Sequence, residues 1–91
     1  MIRTLNGKRP NIHPESFVSE TAYIIGDVTV NARASIWPGT VIRADSGKII
    51  IGEGTNVQDN SVIHSDDDAV IGNYVTIGHR VMSHARSIGD N

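Results

Sequence analysis

The chain contains no cysteine. A disulfide staple and a thiolate metal site are therefore both excluded, which suits a reducing cytosol. Aromatic residues make up only 4% of the chain, so the core it builds must be aliphatic. There is no run of lysine and arginine. Eight basic residues against ten acidic ones leave a formal charge of −2, which argues against nucleic acid as a partner. No apolar stretch approaches the length needed to span a bilayer, and the N-terminal segment "MIRTLNGKRPNIHPESF" lacks the apolar core of a signal peptide. These absences predict a cytoplasmic protein without a membrane partner. The 91 residues allow one domain with a modest core.

What is present is a repeat. Ile-Gly recurs at Ile25-Gly26, Ile51-Gly52, Ile71-Gly72, Ile77-Gly78 and Ile88-Gly89. From residue 25 the chain divides largely into sixes: IGDVTV, NARASI, WPGTVI, IGEGTN, VQDNSV, IGNYVT, IGHRVM. Two blocks, 43–50 and 63–70, carry two extra residues each. Thr29, Ser35, Val41, Thr55, Ser61, Val75 and Val81 supply a small or β-branched residue four places after each hexad begins. Helical periodicity is absent, and glycine is too frequent for helix interiors. A six-residue period of this kind is the signature of a β-helix solenoid. Three hexads make a triangular coil of about 18 residues, and successive coils stack at the strand spacing of about 4.8 Å. The prediction is an all-β chain, a single parallel β-helix domain over residues 1–91 with its repeats over roughly 12–91. It should have about four coils and little helix, with Ile25, Ile51, Val57, Ile63, Ile71 and Ile77 inside. An ordinary all-β domain with Ile-Gly pairs at its turns is the simpler alternative, but it gives no reason for six-residue phasing.

The solenoid gives the histidines meaning. His64 and His84 both hold the second place of a hexad, and one coil plus an insertion separates them. They should stack on one face. His79 holds a third place, near a corner on another face, and cannot easily reach the same point within one chain. A neighbouring subunit could bring its own. The spacing suggests a three-histidine site split across an interface and repeated around a cyclic trimer. His13 lies outside the phase and reads as structural or exposed.

The segments "IHPESFVSETAYIIGDVTV", "IRAD", "NVQDNSVIH", "IGNYVTIGH" and "SHARSIGDN" resemble the gamma-class carbonic anhydrases, over nearly the whole chain. The resemblance implies a left-handed β-helix, a homotrimer, and a metal at each interface, zinc with Fe²⁺ or Co²⁺ as substitutes. It implies that His64 and His84 come from one subunit and His79 from its neighbour. Three neutral imidazoles leave zinc an open position for water, whose pKa falls to about 7. The implied reaction is zinc-hydroxide hydration of CO₂ to bicarbonate. Gln58 would be catalytic, bonding the metal's water. Asp59 would join the interface network, and Arg43 and Asp45 would pair across the interface. The bland alternatives are a polar corner for Gln58 and Asp59, and an exposed ion pair for Arg43 and Asp45. Asp66, Asp67 and Asp68 read as a solvated acidic turn without calcium-loop spacing.

The chain also departs from the family. Ser46 stands where active members carry glutamate, and no glutamate follows His64 in its loop. Family members usually continue for several coils and a C-terminal helix, which this chain lacks, so it reads as apparently truncated. Two other readings remain beside the lyase. One is a metal-binding trimer with weak turnover or none. The other is a hexapeptide-repeat acyltransferase, which shares the solenoid but needs only one histidine.

Overall fold

The computed structural model describes residues 1–91 and contains strands and turns but no helix. No helix is therefore long and apolar enough to cross a membrane. Every pairing between named strands is parallel, as stacked coils require. The strands are β1 (Ile2–Arg3), β2 (Asn11–Ile12), β3 (Phe17–Val18), β4 (Tyr23–Val30), β5 (Ser35–Ile36) and β6 (Val41–Ile51). They continue with β7 (Asn56–Val57), β8 (Val62–His64), β9 (Ala69–Ile71), β10 (Thr76–Ile77), β11 (Met82–Ser83) and β12 (Ser87–Ile88).

These strands form three faces of a triangular solenoid of about four coils. The first face stacks β1, the start of β4, the start of β6, β8 and β11. The second stacks β2, the end of β4, the end of β6, β9 and β12. The third stacks β3, β5, β7 and β10. The long strands β4 and β6 run through the corner between the first two faces, with a register shift between Gly26 and Val28. Gly26 sits there at φ +90°, and a Cβ on it would come within 2.2 Å of the Ala44 carbonyl oxygen in the next coil.

One turn geometry makes the other corners. Arg33, Gly39, Gly54, Asn60, Tyr74 and Arg80 all have positive φ. Each lies three places after a buried aliphatic residue: Val30, Ile36, Ile51, Val57, Ile71 and Ile77. The left-handed residue turns the chain through the corner, and the next hexad begins.

The core is a column of small and aliphatic side chains, including Ile24, Val30, Ile36, Ile42, Ile51, Val57, Ile63, Ile71 and Ile77. The aromatics stay outside. Phe17 and Trp37 stack on the surface with ring centroids 5.0 Å apart, and Tyr74 is exposed. Buried Thr40, Thr55 and Ser61 donate their hydroxyls to the carbonyl oxygens of Gln58, Gly72 and Gly78 in the next coil. No buried side-chain polar atom is left without a partner.

Two expectations are corrected. Of the six residues placed inside, Ile51, Val57, Ile63, Ile71 and Ile77 are buried, but Ile25 is only partly so and Ile24 fills the core instead. The repeat begins one residue earlier in the first half of the chain, at Ile24, Val30, Ile36 and Ile42, than the Ile-Gly pair at 25–26 suggested. Side chains alternate along a strand, so this one-residue slip exchanges inside for outside. The first insertion is accordingly one place longer than the sixfold division implies. Tyr23 faces Val41, three regular hexads further on, and the next coil carries Val41 to Val62. The coil after it, from Val62 to Met82, is one place shorter. Pairing also starts before residue 12, because Ile2 and Arg3 lie beside Ile24 and Ile25.

Candidate metal centre

Strands β8 and β11 carry His64 and His84 to the same end of the first face. Val62 pairs with Met82 and Ile63 with Ser83, so the next residue of each coil is a histidine. The two rings stack with centroids 5.1 Å apart and planes inclined by 42°. His64 is half-buried, whereas His84 is exposed.

Arg43 and Asp45 lie beside this pair on the neighbouring coil, where Arg43 is the register partner of His64. Arg43 Nε is 3.1 Å from Asp45 Oδ2, so the pair forms within one chain. The other carboxylate oxygen, Oδ1, is 2.9 Å from His64 Nε2. A carboxylate only accepts, so in a neutral ring Nε2 carries the proton and donates it to Asp45. Arg43 Nη2 also stands 3.2 Å from Nε2. A guanidinium only donates, so this contact competes with the shorter one to Asp45, while Arg43 Nε makes the ion pair with the other carboxylate oxygen. With the proton on Nε2, the lone pair of His64 lies on Nδ1. A carboxylate that fixes the tautomer of an imidazole in this way is the usual support of a metal-ligating histidine. The hydrogen bond from His64 holds the Asp45 carboxyl below the usual carboxylate range. Burial pushes the other way, and the charges of His64 and Arg43 add to the lowering.

Gln58, Asp59 and His79 lie elsewhere, at the corner between the third and first faces. His79 and Asp59 hold equivalent places in successive coils, and His79 Nδ1 is 3.5 Å from Asp59 Oδ1. Gln58 engages its backbone in the stack, receiving the Thr40 hydroxyl on its carbonyl and donating its N–H to Ile77. The residues singled out from sequence thus separate into two groups. One contains Arg43, Asp45, His64 and His84. The other contains Gln58, Asp59 and His79. His79 does not join His64 and His84 within the chain; the residue that does is Asp66. Ligand atoms of His64, Asp66 and His84 all lie within 4.8 Å of one another. Read from sequence, Asp66 is only part of an acidic turn. The available signal is its place two residues after His64, on the same loop.

The donor set suits a borderline divalent ion. Imidazole is a good ligand for zinc, and two imidazoles already converge from neighbouring coils. They need at least one more protein ligand to make a site of the kind zinc occupies.

No protein-family profile matches the chain. Among curated proteins the chain is similar to a carbonic anhydrase of Geobacillus kaustophilus, 38% identical over 93 residues that cover 100% of this chain and 51% of that protein. It is also similar to gamma carbonic anhydrase 1, mitochondrial, of Arabidopsis thaliana, 38% identical over 91 residues that cover 91% of this chain and 33% of that protein. Among solved structures it matches a hexapeptide transferase family protein from Anaplasma phagocytophilum with a TM-score of 0.88 and 49% identity, over 92% of this chain and 50% of that one. The chain therefore spans about a third to a half of the length of these relatives. This neighbour and the parallel triangular coil together make the fold a left-handed β-helix.

Proposed function

Because the chain belongs to the hexapeptide-repeat family of the gamma carbonic anhydrases and their relatives, we propose that it hydrates CO₂ to bicarbonate at metal sites shared between subunits of a homotrimer. The observation that carries this reading is the His64–His84 stack, two imidazoles 5.1 Å apart at one end of one face. In this reading His64 and His84 of one subunit and His79 of the partner subunit hold Zn²⁺, with Fe²⁺ or Co²⁺ as substitutes. The ion, when bound, supplies the Lewis acidity that makes hydroxide available near neutral pH.

The chain's own residues prepare that chemistry. Asp45 accepts a hydrogen bond from the Nε2–H of His64 and fixes the ring. At the opposite corner Asp59 Oδ1 stands 3.5 Å from Nδ1 of His79, close enough to pair with the ring electrostatically. Two histidines on one face and one on another corner explain why a single chain cannot assemble all three, and why a rotational neighbour can. Gln58 sits beside Asp59 with its backbone held in the coil, and its side-chain amide, which both donates and accepts, serves to orient water or CO₂.

The test is CO₂ hydration by zinc-loaded protein in a stopped-flow assay. His64→Ala, His79→Ala and His84→Ala should each lower the rate by about 100-fold or more, since losing even an outer partner of a ligand costs about 10–100-fold. Mixed trimers of His79→Ala and His64→Ala chains should regain activity. Only there does an intact His64/His84 pair face an intact His79. If mixed trimers form and stay inactive, the shared site is wrong. If the wild-type protein holds stoichiometric zinc without hydrating CO₂, it is a metal-binding homologue of low turnover.

A second reading follows from the solved neighbour, whose name places it among hexapeptide transferases. Acyl transfer would be supported by saturable acetyl-CoA binding in calorimetry that survives removal of His84.

A further inference from the structure

Asp66 has no part in the site shared between subunits. It is the first residue of the acidic turn after β8, and its side chain is 86% exposed. Its Oδ1 nevertheless stands 3.3 Å from Nε2 of His84, across the coil boundary. Its two acidic neighbours are engaged differently. Asp68 Oδ1 accepts the Lys48 N–H at 2.9 Å, and Asp67 Oδ1 accepts the Asp68 N–H at 2.8 Å. Asp67 Oδ2 also stands 3.6 Å from Arg86, and of the three aspartates it is Asp66 whose carboxylate clusters with the two histidines. It also lines an open depression of about 510 Å³ together with Ser65, Asp67, His84 and Arg86, and no hydrophobic side chain contributes to it.

An exposed histidine–aspartate contact by itself is a weak ion pair. A second imidazole changes the chemistry. Asp45 accepts the hydrogen bond from the Nε2–H of His64, leaving the lone pair on Nδ1. The His64 and His84 rings are 5.1 Å apart, and ligand atoms of His64, Asp66 and His84 lie within 4.8 Å of one another. Around a four-coordinate ion with bonds of about 2.0–2.2 Å, ligand atoms sit about 3.4 Å apart. The Asp66–His84 distance already matches, and the exposed Asp66 and His84 side chains are free to make the remaining adjustment.

Resting on the reading of His64 and His84 as metal ligands, we propose that Asp66 completes a divalent-cation site with them inside a single chain. Two imidazoles and one carboxylate make a site for Zn²⁺, Co²⁺ or Fe²⁺. It differs from the shared site in its third ligand and in needing no partner. It lets a chain take up its ion before the trimer forms, with the imidazole from the neighbouring subunit arriving afterwards.

The experiment uses the His79→Ala chain, which cannot supply a third histidine to any neighbour. Co²⁺ is titrated in and followed by visible absorption, and Zn²⁺ affinity is measured in competition with a chromophoric chelator. The expected result is one ion per chain. Adding Asp66→Asn, a substitution at an exposed side chain, should weaken binding by about tenfold or more and change the Co²⁺ spectrum. If the His79→Ala chain binds no ion while the wild type does, the single-chain site is wrong and the shared site stands. If His79→Ala binds and Asp66→Asn changes neither affinity nor spectrum, Asp66 is not a ligand and the proposal fails. If neither the wild type nor the His79→Ala chain binds, the histidine reading falls together with it. Circular dichroism of each variant identifies any loss of fold.

Discussion

Asp45 and His64 are joined across adjacent coils by a 2.9 Å contact between Oδ1 and Nε2. One carboxylate thereby binds an arginine of its own strand and a histidine of the next coil. The local consequence is a fixed ring and a defined tautomer. The wider one is that Arg43 and Asp45, expected from family resemblance to pair across an interface, are already paired within the chain.

This contact has a pH signature. Folding lowers the Asp45 pKa from its ordinary value of 3.8, chiefly through the hydrogen bond from His64. A lowered carboxyl pKa favours the ionised form in the folded state. Its stabilising effect is full above the ordinary value and is lost as pH falls through the folded value. In chelator-treated protein, the Asp45 carboxyl carbon should titrate by NMR with a midpoint below 3.8, and His64→Ala should move that midpoint upward. A wild-type midpoint at or above the ordinary value would show that the contact is absent in solution.

The corrected phase of the first coil predicts opposite outcomes for two adjacent isoleucines. Ile24 is fully buried, with 0% exposure, and Ile25 is only partly buried. Ile24→Ala should cost about 2–5 kcal/mol, and Ile25→Ala about 1 kcal/mol or less. Urea denaturation of both variants decides the matter. A larger loss for Ile25 would restore the phase suggested by the Ile-Gly pairs.

Close stacking of coils predicts a position-dependent cost for adding one methyl group. A Cβ on Gly52 would lie 2.2 Å from the Gly72 carbonyl oxygen, whereas a Cβ on Gly89 meets nothing within 4 Å. Both glycines follow the isoleucine of an Ile-Gly pair. Gly52→Ala should therefore destabilise by about 1–3 kcal/mol, and Gly89→Ala should stay within about 0.5 kcal/mol of wild type. Equal thermal melts for the two variants would contradict the close approach of the coils.

The corners offer a stabilising change. Arg80 has φ +54°, a conformation that costs most L-residues about 1–2 kcal/mol and that asparagine tolerates better. Asn60 occupies the equivalent corner place one coil earlier, at φ +60°. Arg80→Asn should raise stability by up to about 1 kcal/mol, seen as a higher melting temperature. A fall would mean that the Arg80 side chain contributes more than its backbone costs.

The six-residue period is enough to determine the architecture. Glycine after isoleucine, small residues at fixed places and few aromatics leave room only for thin parallel coils with an aliphatic column inside. The same period puts His64 and His84 on one face and His79 on a different corner, because equal phase in a solenoid means equal position on its cross-section. Periodicity cannot set the phase of the first coil. Ile24 and Ile25 are both isoleucine, and only the packing of β4 against β6 decides which of them turns inward. Nor can it describe the insertions, where the repeat stops and the backbone follows its own hydrogen bonds. There Asp68 and Asp67 bind main-chain N–H groups, and Asp66 is carried to within 3.3 Å of His84 on the next coil. Contacts of that kind depend on side chains meeting across coils. No single sequence spacing describes them, because insertions lengthen one coil and not another: Ile2 stands beside Ile24, but Ile71 beside Ile88. The repeat thus determines where the histidines stand, and only the tertiary structure decides which acidic groups reach them.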